Sequence, residues 1–199
     1  ARLAAIRSFA HYAEDTLGPD LAASIRRLLA IPRKRHTRPL LGFLTRAEVL
    51  AVLAAAGGNW TGRRDHLLFL LLYNTGARIS EILALRLRDV LATDGQYLLL
   101  QGKGRKQRSV PLWRNTQTRL RRWIKENQGK ADSPLLPNRF GQPLTRSGAA
   151  WQLRQMLRRA ETPMPSLQRR ISPHTFRHTT AMHLLQGGVA PEIIALWLG

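Results

Sequence analysis

The 199-residue chain contains no cysteine. Disulfide bridges, thiolate nucleophiles and cysteine-based zinc sites are therefore excluded, and the absence suits a reducing compartment. Acidic residues are scarce: 12 Asp and Glu stand against 32 Lys and Arg, a formal net charge of +20. The acids are scattered with no Asp-x-Asp pair, which disfavours a two-metal nuclease, although separated carboxylates can still converge in space. Lysine is almost as rare. Only Lys34, Lys103, Lys106, Lys125 and Lys130 occur, so the other 27 bases are arginines. Aromatic residues make up 7%, and no stacking-rich motif of an RNA-binding module is present. The longest apolar run, residues 67–73, is far too short to cross a bilayer. Charge begins at Arg2, so the first residues do not read as a signal peptide.

What is present supports a folded domain. Hydrophobic residues make up 44%, enough for a core, and the length fits one large domain or one domain plus a fragment. So large an excess of positive charge points to a polyanionic partner. The dominance of arginine suits phosphate, which a planar guanidinium can clamp through two hydrogen bonds.

Helical spacing runs over residues 2–14, with Leu3, Ile6, Phe9 and Ala10 on one stripe, and Asp20 can cap a second helix over 21–30. Residues 31–39, Ile-Pro-Arg-Lys-Arg-His-Thr-Arg-Pro, set four bases between two prolines and read as an extended linker. The two helices before it are too short to form a domain alone and are expected to be the tail of a helical module. Thr45 and Glu48 form a capping box that opens a helix to about residue 56. A leucine-rich helix over 61–73 is broken by Asn74-Thr-Gly76, and another runs over 77–85. Strands are predicted at 97–101 and 107–112, joined by the turn Gly102-Lys-Gly-Arg-Lys106. Helices follow over 113–128, from the Thr145 cap to 160, and from Ser172-Pro173 to Gly187-Gly188. Pro191 starts a last helix. The expected fold class is mostly α with a small antiparallel β-hairpin sheet (α+β).

Three segments combine a structural breaker with reactive side chains. In Thr75-Gly-Ala-Arg-Ile-Ser-Glu81, Gly76 allows a sharp turn, and Arg78 is placed in the first turn of the next helix with Glu81 on the same face. Read alone, an exposed ion pair is the ordinary outcome, although a cation in a first helical turn opposes the helix dipole. In the hairpin tip, two glycines flank Lys103, which can reach into a groove or donate a proton, or can be a plain solvated turn lysine. Arg105, Lys106 and Arg108 follow and make the hairpin a basic finger for DNA. In Ser172-Pro-His-Thr-Phe-Arg-His178, His174 and Arg177 lie three apart near a helix N-terminus, where free N–H groups already favour phosphate. His178 and His183 are expected to be packing residues. No zincin motif and no Walker loop occurs. If phosphate chemistry takes place, arginines must do what metals do elsewhere.

Together these motifs resemble the catalytic domain of the tyrosine recombinases, the phage-integrase family, and its Xer-like bacterial branch. The matching segments are Thr75-Gly-Ala-Arg-Ile-Ser-Glu-Ile-Leu-Ala-Leu85, Gly102-Lys-Gly-Arg-Lys-Gln-Arg-Ser-Val-Pro-Leu112 and His174-Thr-Phe-Arg-His178. Leu196-Trp-Leu-Gly199 is similar to the start of the family's Leu-Gly-His segment. The resemblance implies a site-specific recombinase that cuts and rejoins duplex DNA through a 3′-phosphotyrosine without metal or ATP. It implies that Arg78 and Arg177 clamp the scissile phosphate, Lys103 is general acid to the leaving 5′-oxygen, His174 bonds the phosphate or assists proton transfer, and Glu81 supports the active-site arginine. It further implies a homo-oligomer, a tetramer on two DNA duplexes, in the bacterial cytoplasm on the nucleoid, and membership of a mobile element or a chromosome-resolution system.

The implied organisation has residues 1–31 as the end of a helical core-binding domain, 32–40 as a basic linker carrying Arg33, Lys34 and Arg35, and 41–199 as the catalytic domain. The family's nucleophilic tyrosine follows the Leu-Gly-His segment by about a helix. Tyr12, Tyr73 and Tyr97 lie in other motifs, so the chain is expected to be a fragment that binds DNA but lacks the nucleophile. Arg146, Arg154 and Arg158 can line a groove of DNA, and the resemblance puts their helix near the major groove; a core helix with a solvated basic face fits the pattern equally well. Two alternatives remain: a type IB topoisomerase, which shares the chemistry, and a DNA-binding module that never cuts.

Overall fold

The computed structural model describes residues 2–16, 19–31, 42–102 and 107–199, which divide into two compact units, Ala1–Leu40 and Leu41–Gly199. The predicted linker with Arg33, Lys34 and Arg35, and the hairpin tip with Lys103, Arg105 and Lys106, lie outside the described residues.

The first unit pairs α1 (Arg2–Thr16) with α2 (Pro19–Ala30). Arg7 donates to the carbonyls of Leu29 and Ile31 at 2.5 and 2.9 Å. It thereby satisfies carbonyls that the end of α2 would leave without partners. On the predicted apolar stripe Ala10 is buried, whereas Ile6 and Phe9 are exposed.

The second unit is built around α4 (Trp60–Thr75), preceded by α3 (Arg46–Ala54). Residues 67–72 of α4 are all buried, which is why the segment is leucine-rich on every side. Phe69 stacks at 5.4 Å on Phe176 of α9 (Pro173–Gln186). Asn59 caps α4 by accepting from the Gly62 N–H at 2.7 Å. Gly76 ends it in the left-handed conformation, with φ 60°. Beyond that turn lie two short helices, α5 (Ile79–Leu83) and α6 (Leu87–Leu91). The helix predicted over 77–85 is thus only five residues long, and α6 was not predicted. A helix that short has too few periodic positions to register in a sequence pattern.

Strands β1 (Tyr97–Gln101) and β2 (Gln107–Pro111) pair antiparallel, Leu98 opposite Val110 and Leu100 opposite Arg108. Leu98, Leu100 and Val110 face the core. The fully buried Asn74 ties the end of α4 to this hairpin. Its amide donates to the Pro111 carbonyl at 3.1 Å and accepts the Trp113 N–H at 2.8 Å. Trp113 precedes α7 (Arg114–Glu126), then come α8 (Arg146–Glu161) and, after α9, α10 (Pro191–Leu198). As predicted, Thr145 caps α8, accepting from Gly148, and Thr45 and Glu48 form the box that caps α3. Among the described residues the chain adopts the mostly helical class with a small antiparallel hairpin expected from the sequence.

Candidate active site

The chemistry gathers where the turn after α4, strand β2 and the ends of α9 and α10 meet. Arg78 is the residue that caps α5, with an extended backbone (ψ 144°), and is not inside its first turn. Glu81 at the third helical position accepts the Arg78 backbone N–H at 3.0 Å and its guanidinium Nη1 at 2.9 Å. The predicted same-face pair therefore exists, but as a cap. The carboxylate is buried, only 4% exposed, while Arg78 is 45% exposed. Its other oxygen, Oε2, also accepts Nη2 of Arg108 at 2.7 Å. Burial pushes the Glu81 pKa up, but the bonds from Arg108 and Arg78 outweigh it and hold the group below the usual carboxylate value.

Arg108 differs from its predicted place on an exposed DNA-binding finger. Its side chain is 10% exposed and turned inward, with Nε donating to the Trp197 carbonyl at 3.0 Å. The reason is strand parity. Residues two apart share a face, so Arg108 goes with Val110, which is buried.

Arg177 enters the same spot from α9. Nη1 donates to the carbonyls of Gly76 and Leu198 at 2.9 and 2.8 Å, and Nη2 to the Gly199 carbonyl at 3.0 Å. Arg78 Nη2 donates to that same Gly199 oxygen at 3.4 Å. Burial, and then the positive charges of Arg78 and Arg108, push the Arg177 pKa below the usual arginine value. Cationic excess in a partly desolvated pocket is what an incoming anion would relieve. Gly76 suits the arrangement, because its backbone is left-handed and a Cβ there would stand 2.3 Å from Leu198 Cδ2, forcing that side chain to shift. His174 is exposed on the first turn of α9, one turn before Arg177.

Arg146, Arg154 and Arg158 are all exposed on α8, opposite its buried Ala149, Leu153, Met156 and Ala160. His183 packs as expected: its Nδ1 lies 2.8 Å from the Tyr73 hydroxyl and its ring stands edge-on to Phe43. Both face an apolar cavity of about 1170 Å³ whose lining includes none of Arg78, Glu81, Arg108 or Arg177. Two charged pairs escaped the sequence. Arg64 and Asp65 are each 3% exposed, joined at 2.7 Å, with Arg64 also donating to the Pro137 carbonyl. Glu48 is held by Arg169 of the segment before α9. Neighbouring opposite charges, and a capping glutamate, give no sign in the sequence that they are buried.

Over residues 42–199 the chain matches the phage integrase family. It is 45% identical over 200 residues to a protein named integrase/recombinase y4rC of Sinorhizobium fredii, covering all of this chain and 60% of the relative. It is 34% identical to the tyrosine recombinase XerC of Chlamydia trachomatis, covering all of this chain and 61% of that one. The chain thus spans about three fifths of the length of these relatives. Among solved structures, the XerA recombinase has a similar fold (TM-score 0.68, 20% identity, 98% of this chain and 73% of that one). So does the Tn1549 transposon integrase in complex with circular intermediate DNA (TM-score 0.68, 19% identity, 99% and 76%). With the motifs in place and the match running through nearly the whole second unit, the chain belongs to the phage integrase family, the tyrosine recombinases.

Proposed function

We propose that the chain carries the cutting and rejoining centre of a site-specific recombinase acting on duplex DNA. One observation carries this most directly: Arg78, held by Glu81 at 2.9 Å, and Arg177, held by the Gly76 carbonyl at 2.9 Å, are both fixed at the turn after α4. A non-bridging oxygen of a scissile phosphate is an acceptor that two such fixed guanidinium groups can share. A tyrosine oxygen attacks phosphorus, the bond to the 5′-oxygen breaks, and charge accumulates on the non-bridging oxygens, where fixed cations stabilise it most. Lys103 gives its proton to the leaving 5′-oxygen, and His174 adds a hydrogen bond to the phosphate. The phosphotyrosine keeps the bond energy, so attack by a 5′-hydroxyl reseals a strand without metal or ATP.

The nucleophile in this scheme is supplied from outside these 199 residues. Tyr73 is partnered by His183, Tyr97 lies on β1 and Tyr12 in the first unit. The exposed arginines of α8, with Arg105, Lys106 and the linker bases Arg33, Lys34 and Arg35, bind the duplex. The whole protein works as a tetramer on two duplexes in the cytoplasm. The similar Tn1549 integrase was solved on circular intermediate DNA, which supports DNA as partner.

The test is a nicked suicide duplex bearing a sequence selected from a random pool. A protein that adds the expected tyrosine to this chain should form a covalent adduct on a denaturing gel, and the 199 residues alone should not. In the extended protein, Lys103→Ala should slow a normal substrate far more than one with a 5′-sulfur leaving group, which departs without a proton. An adduct from the 199 residues alone, or none from the extended protein, would overturn the scheme.

A further inference from the structure

Arg108 is the member of the arginine cluster for which the reaction scheme has no use. It is also the most enclosed contact of Glu81, at 10% exposure against 45% for Arg78. An arginine next to a carboxylate tends to close a two-toothed fork, both terminal nitrogens on both oxygens. The chain shows that outcome elsewhere. Arg169 places Nη1 on Oε1 of Glu48 at 2.7 Å and Nη2 on Oε2 at 2.9 Å. Glu48, like Glu81, caps its own helix through a backbone N–H. At Glu81 the fork stays open. Arg78 gives one nitrogen to Oε1, and Oε2 is taken by Arg108 and the Arg78 backbone N–H.

We propose that Arg108 is a positioning residue that keeps Arg78 available: by holding Oε2 of Glu81 it limits Arg78 to one bond and leaves its Nη2 facing the phosphate position. A second contact fixes Arg108 itself, Nε to the Trp197 carbonyl. Lysine, with three N–H donors on one nitrogen, can still occupy Oε2. This role rests on the proposed function, because it matters only if Arg78 serves a phosphate.

Two measurements test it, both in the chain extended to carry the expected tyrosine. Arg108→Ala should slow cleavage by about 10- to 100-fold, the range for groups that orient a working residue, with duplex affinity within about twofold and with Arg108→Lys recovering most of the rate. In a Glu81→Gln background the same change should cost less than about twofold, since the carboxylate through which Arg108 acts is already gone. Multiplying effects would show that Arg108 acts independently and would overturn the proposal. The second measurement needs no cleavage. A crystal structure of Arg108→Ala, or of Arg108→Met should the alanine variant not fold, should show Arg78 with both terminal nitrogens on Glu81. An unchanged single bond overturns the proposal whether or not the parent cuts DNA. A closed fork in a parent that forms no adduct would instead locate the failure in the functional scheme.

Discussion

Arg169 and Glu48, 121 residues apart in sequence, face each other with two parallel N–H···O bonds, and the same carboxylate accepts the Ser166 hydroxyl at 2.6 Å. The Arg169 bond, opposed by burial and helped by Ser166 and the Thr45 N–H, draws the Glu48 pKa from 4.5 to about 2. A depressed carboxylate pKa stabilises the fold above its unfolded value. That contribution should therefore be complete at neutral pH and fade as pH falls from about 4.5 to about 2. Glu48→Gln should cost ~2 kcal/mol at pH 7, less than for a fully enclosed pair because Arg169 is 35% exposed. Urea unfolding across that pH window should give a shallower acid limb in the variant than in the parent.

Gly76→Ala should be poorly tolerated. The residue has φ 60°, and a methyl group would collide with Leu198. A left-handed backbone and a crowded contact together predict a loss of about 3 kcal/mol, read as a lowered Tm.

Arg78 and Arg177 should separate in stability while agreeing in catalysis. Either alanine variant should slow adduct formation by about 10²- to 10³-fold if both stabilise the transition state. Arg177→Ala also removes donors from the carbonyls of Gly76, Leu198 and Gly199 and should cost about 2 kcal/mol. Arg78→Ala, at a half-exposed position, should cost under about 1 kcal/mol. Chemical denaturation alongside the gel assay checks both halves.

Duplex binding should weaken steeply with salt. Contact with about six to ten phosphates gives a slope of log K against log[salt] of about −5 to −9. Fluorescence anisotropy with a slope near −1 would contradict DNA binding. Arg154→Ala should lower affinity for all sequences alike if that exposed side chain meets phosphate, and selectively if it meets a base.

Much of the fold was legible because its signals are local. The Thr45 box, the Thr145 cap, Pro173 at a helix start and Gly76 at a helix end each act within a few residues. What escaped depends on partners far along the chain. Arg108 looked like one more base in a basic turn, although the two-residue period that buries Val110 would have buried it too. Arg78 was legible as a candidate site residue but not as a cap, because a helix of five residues leaves its start undetermined by pattern alone. Nothing local distinguishes Arg64 and Asp65 from a solvated pair.

Arg108 reaches Glu81 across 27 residues, and Arg177 reaches Gly76 across 101. The second of these contacts closes only once almost the whole second unit has come together. An unfolded or half-folded chain carries the same +20 charge and should bind nucleic acid non-specifically without it. Retention on DNA is therefore no sign of native structure in this protein, and mutant screens scored by gel retardation will pass chains that never assembled their arginine cluster.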